Sequence, residues 1–418
     1  MLEKSAILEE IEITGQKILQ GQIPVQRSKN VSMPTLVACS LAPNPSLIMG
    51  VPKIKDLELL LGILKHLGCK YSANSQNILF EGYHNSNNDI PNKMSTALRG
   101  SIYALAVPVL RRACSTISSI GGDVIKGRSI APHIRALKGF NVKVSQEGNL
   151  ITLDARKIKP GEFFVEDIGI SATGLAIIIG AGLDGTSVLH NCSTELEIRD
   201  IVECVVHLGA QVNVHGRTIT VKGPLIGNTK GYDVPLDQMA AGTFLIGACA
   251  SGGEVRLPQK LYPRLIPLIN VLIESGWKAT ASENDLIFEG HPLDCKGVCV
   301  ETGIYPSYPS DLLPQLSLLC TQLGGSSVIV ENIYKSRFDH ISQLINMGAK
   351  IDQVENKLKI TGSSALTGMH LHGIGIRETA TLALAGSLAK GNSKLRNYGA
   401  IFRGYEDFFN DLSQMSLS

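Results

Sequence analysis

The sequence predicts a repeated α/β (α+β) fold, and three observations lead there. A pattern of helix, glycine, strand, turn and strand recurs five times. Its helix-ending glycines, Gly68, Gly139, Gly209, Gly276 and Gly348, lie 71, 70, 67 and 72 positions apart. Between the copies run segments rich in Ala, Gly and Leu that are apolar on nearly every side, the mark of a buried helix. A near-constant period of this kind means repeated architecture, here about six units of about 70 residues. A β-solenoid would need a shorter period, and a propeller would not contain the helices.

Each copy follows from local chemistry. The first, Leu57–Gly82, reads LELLLGILKHLG, then CKYSANSQ, then NILFEG; the second is His133–Ala155, the third Ile198–Gly223, the fourth Leu265–Gly290 and the fifth His340–Gly362. Apolar residues at helical spacing give the helix, and glycine after it is expected to close it in the left-handed conformation. The following strands alternate or run apolar, as in Ile151-Thr-Leu and Thr218-Ile-Thr-Val. Ser171–Gly182, Met239–Ala250 and Glu378–Leu388 are expected as buried helices, and a last helix begins near Gly404.

Composition narrows the function classes. The chain has 418 residues, 44% hydrophobic, with 39 basic and 37 acidic residues and a net charge of +2. More than one domain is expected at this length, and so small a net charge points to neither nucleic acid nor a membrane surface as partner. Nine scattered cysteines without a spacing pattern fit reduced thiols and a cytoplasmic home. His291, Cys295 and Cys299 lack a fourth ligand, so no metal is expected. The start of the chain carries no signal-peptide pattern, and the longest apolar run, near Ala172–Gly182, is too short for a bilayer. His372-Gly-Ile-Gly-Ile-Arg does not complete a dinucleotide fingerprint.

One stretch draws attention as chemistry. Ile120–Ile130 carries three glycines with Asp123, Lys126 and Arg128. Glycine allows close approach of backbone to ligand, and an acid beside two cations suits a phosphate- or carboxylate-bearing substrate. A solvated surface loop has the same composition.

Motifs along nearly the whole chain resemble the enolpyruvyl transferases, and most closely their nucleotide-sugar branch. Arg27-Ser-Lys-Asn-Val is similar to a Ser-Gly-Ala-Lys-Asn segment, with Lys29 and Asn30 in register. Val51-Pro-Lys-Ile-Lys-Asp resembles Val-Pro-Lys-Leu-Lys-Asp and places Lys55 at a cleft-lining lysine. Leu98-Arg-Gly-Ser-Ile-Tyr-Ala-Leu resembles Met-Arg-Ala-Ser-Ile-Trp-Ala-Leu, which marks Arg99 and Tyr103. The glycine loop resembles Gly-Gly-Cys-Thr-Ile-Gly-Ala-Arg-Pro, with Asp123 where many members have Cys. Ala241-Gly-Thr-Phe, Tyr308-Pro-Ser-Asp, Ser336-Arg-Phe and Arg403-Gly-Tyr-Glu resemble later family motifs.

The resemblance implies a two-domain inside-out α/β barrel built from six βαβαββ-like repeats, three per domain. One domain would span residues 28–235, and the other residues 1–27 with 236–418. The ligand would lie in a cleft between them, under the loop 120–130. It implies transfer of a carboxyvinyl group from phosphoenolpyruvate to a hydroxyl of a uridine nucleotide or nucleotide sugar such as UDP-N-acetylglucosamine, without cofactor or metal. By the same resemblance, Asp311 is the base at the hydroxyl and Asp123 the general acid, with Lys29 beside the reacting atoms. Read by spacing alone, Asp311 could equally be a helix cap. Lys29, Arg99, Arg128, Arg337, Arg377 and Arg403 would hold the donor's two anions, where guanidinium forks suit bidentate contacts. Asn30, Lys55, Tyr103, Asp237 and Asp311 would face the acceptor. Asp123 must be partly protonated to act as an acid, and a bound anion beside it would raise its pKa.

Several positions depart from the nucleotide-sugar pattern. Gln238 stands for an Arg, Asp167 for a Lys, Lys335 for an acid, Gly375 for an Asp, Ser129 for a proline and Arg27 for a small residue. These changes touch the acceptor side, so another nucleotide acceptor, such as uridine monophosphate in nucleoside antibiotic biosynthesis, is an alternative. An inactive ligand-binding relative is a third reading.

Overall fold

The computed structural model describes residues 10–82, 87–118, 120–122, 129–165, 169–334 and 337–417. Two compact units divide them: one runs from Arg27 to Asp237, and the other joins the chain up to and including Gln26 to everything from Gln238 onward.

In the unit 27–237, three helical segments are buried almost completely. These are Lys29–Leu41, the 3-10 turn Arg99–Leu105 continued by Ala106–Leu110, and Ile170–Gly182. They pack on one another, as a helix without a polar face must. Lys55–His66, Ala131–Gly139 and Leu196–His207 bury one stripe each and leave charged residues outside. Three sheets complete the unit, and their strands alternate buried and exposed positions. Its last strand, Tyr232–Asp233, returns to pair in parallel with Ser46–Met49 near its beginning.

The second unit repeats the plan. Gln238–Ser251, Leu313–Gln322 and Ile376–Leu388 are its buried helices, packed pairwise. Tyr262–Ser275, Ile341–Asn346 and Phe408–Leu417 are the others. Here too there are three sheets, two of which need the chain's start. Glu10–Ile13 pairs antiparallel with Ser393–Arg396, and Gly21–Gln22 pairs in parallel with Val255–Pro258. Strand pairing therefore assigns residues 10–26 to the C-terminal half. All five expected helix–hairpin copies are present, four of them closing over two residues, as at Asn74↔Asn77 and His215↔Thr218.

One expectation needs correction. Gly68, Gly209, Gly276 and Gly348 have positive φ, as a left-handed helix stop requires, but Gly139 does not. It is the last helical residue, and Asn141 (φ 63°) takes the left-handed turn instead. Gly139 is there for packing: a Cβ would lie 2.4 Å from the ring of Phe163. Asparagine tolerates the left-handed region better than other side-chain-bearing residues.

Gly209 (φ 107°) combines strain with crowding, since a Cβ would meet Ile226 at 2.9 Å, whereas Gly216 (φ 56°) has nothing within 4 Å. Urea unfolding should therefore rank the two alanine variants. Gly216→Ala should cost about 1 kcal/mol, and Gly209→Ala about 2–3 kcal/mol. Equal midpoints would show that the contact with Ile226 yields freely.

Candidate active site

Several of the residues singled out by sequence stand at the N-terminal ends of buried helices. Lys29 opens one, Arg99 another, Asp237 and Gln238 a third, Asp311 a fourth and Arg377 a fifth. The middle of such a helix is wholly apolar surroundings, so charge is tolerated only at its ends. The N-terminal end also carries unpaired N–H groups and the positive end of the helix dipole, which favour anions.

In the unit 27–237, Ser28 caps the helix Lys29–Leu41 by accepting the Val31 N–H, and Asp237 accepts the N–H of Lys29 at 3.1 Å. The Lys29 ammonium is nearly buried and lies 2.7 Å from Asp56, whose side chain is 2% exposed. Asp56 is a functional candidate that sequence reading missed. It lies inside the Lys-Ile-Lys-Asp motif, yet only Lys55 was singled out there. The structure leaves Lys55 exposed and turns its neighbour inward. Asn30 is half-buried beside Lys29. Tyr103 is buried, with its ring against Gly174, where a Cβ would meet it at 3.2 Å.

Arg99 donates from Nη2 to the Ser129 carbonyl at 2.9 Å, and Ser129 Oγ accepts the Ala131 N–H at the start of the next helix. Gly121 and Gly122 lie against this corner. The Gly121 N–H bonds to the Ser95 carbonyl, and a Cβ on Gly122 would meet Arg99 at 2.7 Å. Asp123, Lys126, Arg128, Asp167, Lys335 and Ser336 lie outside the described residues.

The second unit holds the densest charge cluster. Arg337, with only 4% of its side chain exposed, donates from Nη1 to Asp311 at 2.6 Å and from Nε to Glu378 at 3.3 Å. Arg377 Nε lies 3.9 Å from the other Asp311 oxygen, and its guanidinium sits 5.3 Å from the Tyr405 ring centre. Tyr405 is held in turn by Thr243, which also accepts from Gln315. Glu331 is fully buried and accepts from Ser310 Oγ and from the Ile333 and Tyr334 N–H groups, which fixes the turn leading to Arg337. Asp311 is thus a partner of two arginines, and no side chain caps the helix Leu313–Gln322.

Burial alone would push the Arg337 guanidinium down, but Asp311 and Glu378 overcome it and hold it above the ordinary arginine value. His340, wholly buried and bonded to Ser317, is pushed down to about 3 by burial and then by Arg337. It therefore stands neutral beside the cluster. Arg403 ends the 3-10 turn Tyr398–Arg403 and is half-buried. Gln26 secures that segment by bonding Gly404 and Glu406.

The departures from the family pattern also find places. Arg27 donates to Asp233 and to the Val234 carbonyl. Gln238 accepts from Arg264 Nε at 3.1 Å. Gly375 caps the helix Ile376–Leu388, and the carboxylate of its first turn comes from Glu378. His291 accepts the Leu293 N–H, and Cys295 is buried while Cys299 is exposed.

Buried helices ringed by sheets in each of two units, with cation–carboxylate pairs at the helix starts, define a group-transferring enzyme of the two-domain inside-out α/β barrel class. The chain belongs to the EPSP synthase family: residues 13–412 match the family described as EPSP synthase (3-phosphoshikimate 1-carboxyvinyltransferase). It is an enolpyruvyl transferase, of the enzymes that transfer alkyl groups other than methyl. It is 31% identical over 399 residues to UDP-N-acetylglucosamine 1-carboxyvinyltransferase of Ruthia magnifica subsp. Calyptogena magnifica, covering 94% of each chain. It is also 31% identical over 404 residues to the enzyme of that name from Wolbachia pipientis subsp. Culex pipiens, again covering 94% of each. The fold is similar to that of the enolpyruvyl transferase NikO from Streptomyces tendae (TM-score 0.87, 20% identity, 98% of each chain). It is also similar to EPSP synthase from Acinetobacter baumannii (TM-score 0.75, 14% identity, 98% of each chain). Among the described residues, no helix is long and apolar enough to cross a membrane.

Removing Lys29 would take a nearly buried ammonium from beside the buried Asp56 carboxylate. Lys29→Ala should lower unfolding free energy by about 3 kcal/mol, and the double variant with Asp56→Asn should recover most of it. Additive losses in a denaturation cycle would show that the two groups are not coupled.

Proposed function

We propose that the protein transfers the enolpyruvyl group of phosphoenolpyruvate to a hydroxyl of a uridine nucleotide, most commonly UDP-N-acetylglucosamine, the first step of peptidoglycan precursor synthesis. The observation that carries this reading is Asp311 set between Arg337 and Arg377 at the start of a buried helix, in a chain alike over 94% of its length to enzymes of that name. Asp311 takes the acceptor's proton as its oxygen bonds to C2 of the donor, while Asp123 delivers a proton to C3. Loss of that C3 proton then expels phosphate and restores the double bond.

Lys29, Arg99, Arg128, Arg337, Arg377 and Arg403 hold the donor's phosphate and carboxylate. Asn30, Lys55, Tyr103 and Asp237 face the acceptor. Cations at helix starts favour this role, because the charge of both anions must be met as it redistributes in the transition state.

A second acceptor reading rests on Gln238. The side chain there is an amide bonded to Arg264, and Gly375 brings no charge to the start of its helix. A smaller nucleotide such as uridine monophosphate suits a site changed in this way.

Phosphate release from phosphoenolpyruvate, followed with a panel of uridine nucleotides, separates the possibilities. Release with UDP-N-acetylglucosamine is expected, and Asp123→Asn should lower kcat by at least about a hundredfold at similar substrate binding. Release with uridine monophosphate alone would select the second acceptor. Tight ligand binding with no release for any acceptor would leave only a binding protein.

The loop stretch Ile120–Ile130 contains no cysteine. Fosfomycin, an epoxide that alkylates the thiol found there in relatives, should leave activity intact. Intact-mass and peptide spectrometry should detect no adduct on this stretch, and an adduct there would overturn the expectation.

A further inference from the structure

We propose that Glu378 is a positioning residue that sets the basicity of Asp311 through Arg337. The inference rests on the reading of Asp311 as the base. Four charges form one chain of contacts: Glu378 to Arg337 Nε at 3.3 Å, Arg337 Nη1 to Asp311 at 2.6 Å, and Asp311 to Arg377 Nε at 3.9 Å. Two carboxylates balance two guanidiniums. Three of the four groups are nearly sealed from water, with side chains 4%, 5% and 8% exposed for Arg337, Arg377 and Glu378. Asp311, at 34%, is the open end.

That asymmetry gives Glu378 its task. When Asp311 accepts a proton, Arg337 loses its shorter ion pair. A buried guanidinium without a counter-charge is costly, and removing one partner of such a pair leaves the other uncompensated. Glu378, still bonded to Arg337 Nε, supplies that counter-charge, so protonation of Asp311 costs less. Without Glu378, Asp311 would be the one carboxylate among the described residues bonded to Arg337, with Arg377 on its other oxygen. It would hold its proton more weakly and be a poorer base.

Among the described residues, the other charged or titratable neighbours do not substitute for Glu378. Glu331 spends its oxygens on Ser310 Oγ and two backbone N–H groups. Tyr334 presents its ring to Arg337 at 5.9 Å, Tyr405 presents its ring to Arg377, and His340 faces Arg337 as a neutral imidazole. Glu378 also keeps Arg337 in place during the reaction, since its bond to Nε does not involve the nitrogen that serves Asp311.

The test pairs two variants with two readouts. Glu378→Gln keeps shape and removes charge, and Glu378→Asp keeps the charge. Protein labelled with ¹³C at aspartate carboxyls would be titrated, and the Asp311 signal identified by its loss in Asp311→Asn. The Asp311 midpoint should fall by at least about half a unit in Glu378→Gln and stay closer to the parent value in Glu378→Asp. In the phosphate-release assay, the acid limb of the kcat/KM profile should move to lower pH in Glu378→Gln. kcat at neutral pH should drop about threefold or more, exceeding any change in KM. An unchanged Asp311 midpoint in Glu378→Gln, or equal shifts in both variants, would overturn the proposal whatever the activity. A shifted midpoint in a protein that turns over no acceptor would uphold the coupling and overturn the enzymatic reading instead.

Discussion

The constraint on which this protein depends is that its central helices have no polar face. Ile170–Gly182 and Gln238–Ser251 are buried around nearly their whole circumference, so each can exist only with other elements on every side. Outer helices and sheets must therefore surround them. Charge is then forced to the helix ends, where backbone N–H groups are unpaired. Lys29, Arg99, Asp237, Asp311 and Arg377 all stand at such starts. The architecture thus decides where an anion-handling site can be built before any particular substrate is considered.

At those ends, carboxylates and cations come as partners. Lys29 meets Asp56, and Arg337 meets both Asp311 and Glu378. Pairing lets strongly charged groups be held nearly dry, where each interaction is stronger than in water. It also gives each functional side chain a fixed direction. The supporting polar groups continue outward: Glu331 holds Ser310 and the turn at Ile333 and Tyr334, and Thr243 joins Tyr405 to Gln315.

Family membership and this arrangement agree on the class of chemistry. Arg27 is engaged with Asp233 and Val234, and Gln238 is engaged with Arg264.

Much of the fold was legible in the sequence. The period of the glycines, the apolar helices and the alternating strands are local signals, set by side-chain spacing and backbone preference, and five helix–hairpin copies follow from them. The motifs likewise marked Lys29, Arg99, Asp311, Arg337 and Arg377. Tertiary structure decided what spacing cannot carry. Gly139 proved to be a packing glycine because Phe163 crosses it, and Asn141 made the turn. Asp311 proved to be an arginine partner and not a helix cap, because Arg337 arrives from 26 residues away. Asp56 and Glu378 come into view only through contact with Lys29 and Arg337. Local physics writes periodicity into a sequence, but an ion pair between distant residues leaves no period, and only the folded chain brings its two halves within reach.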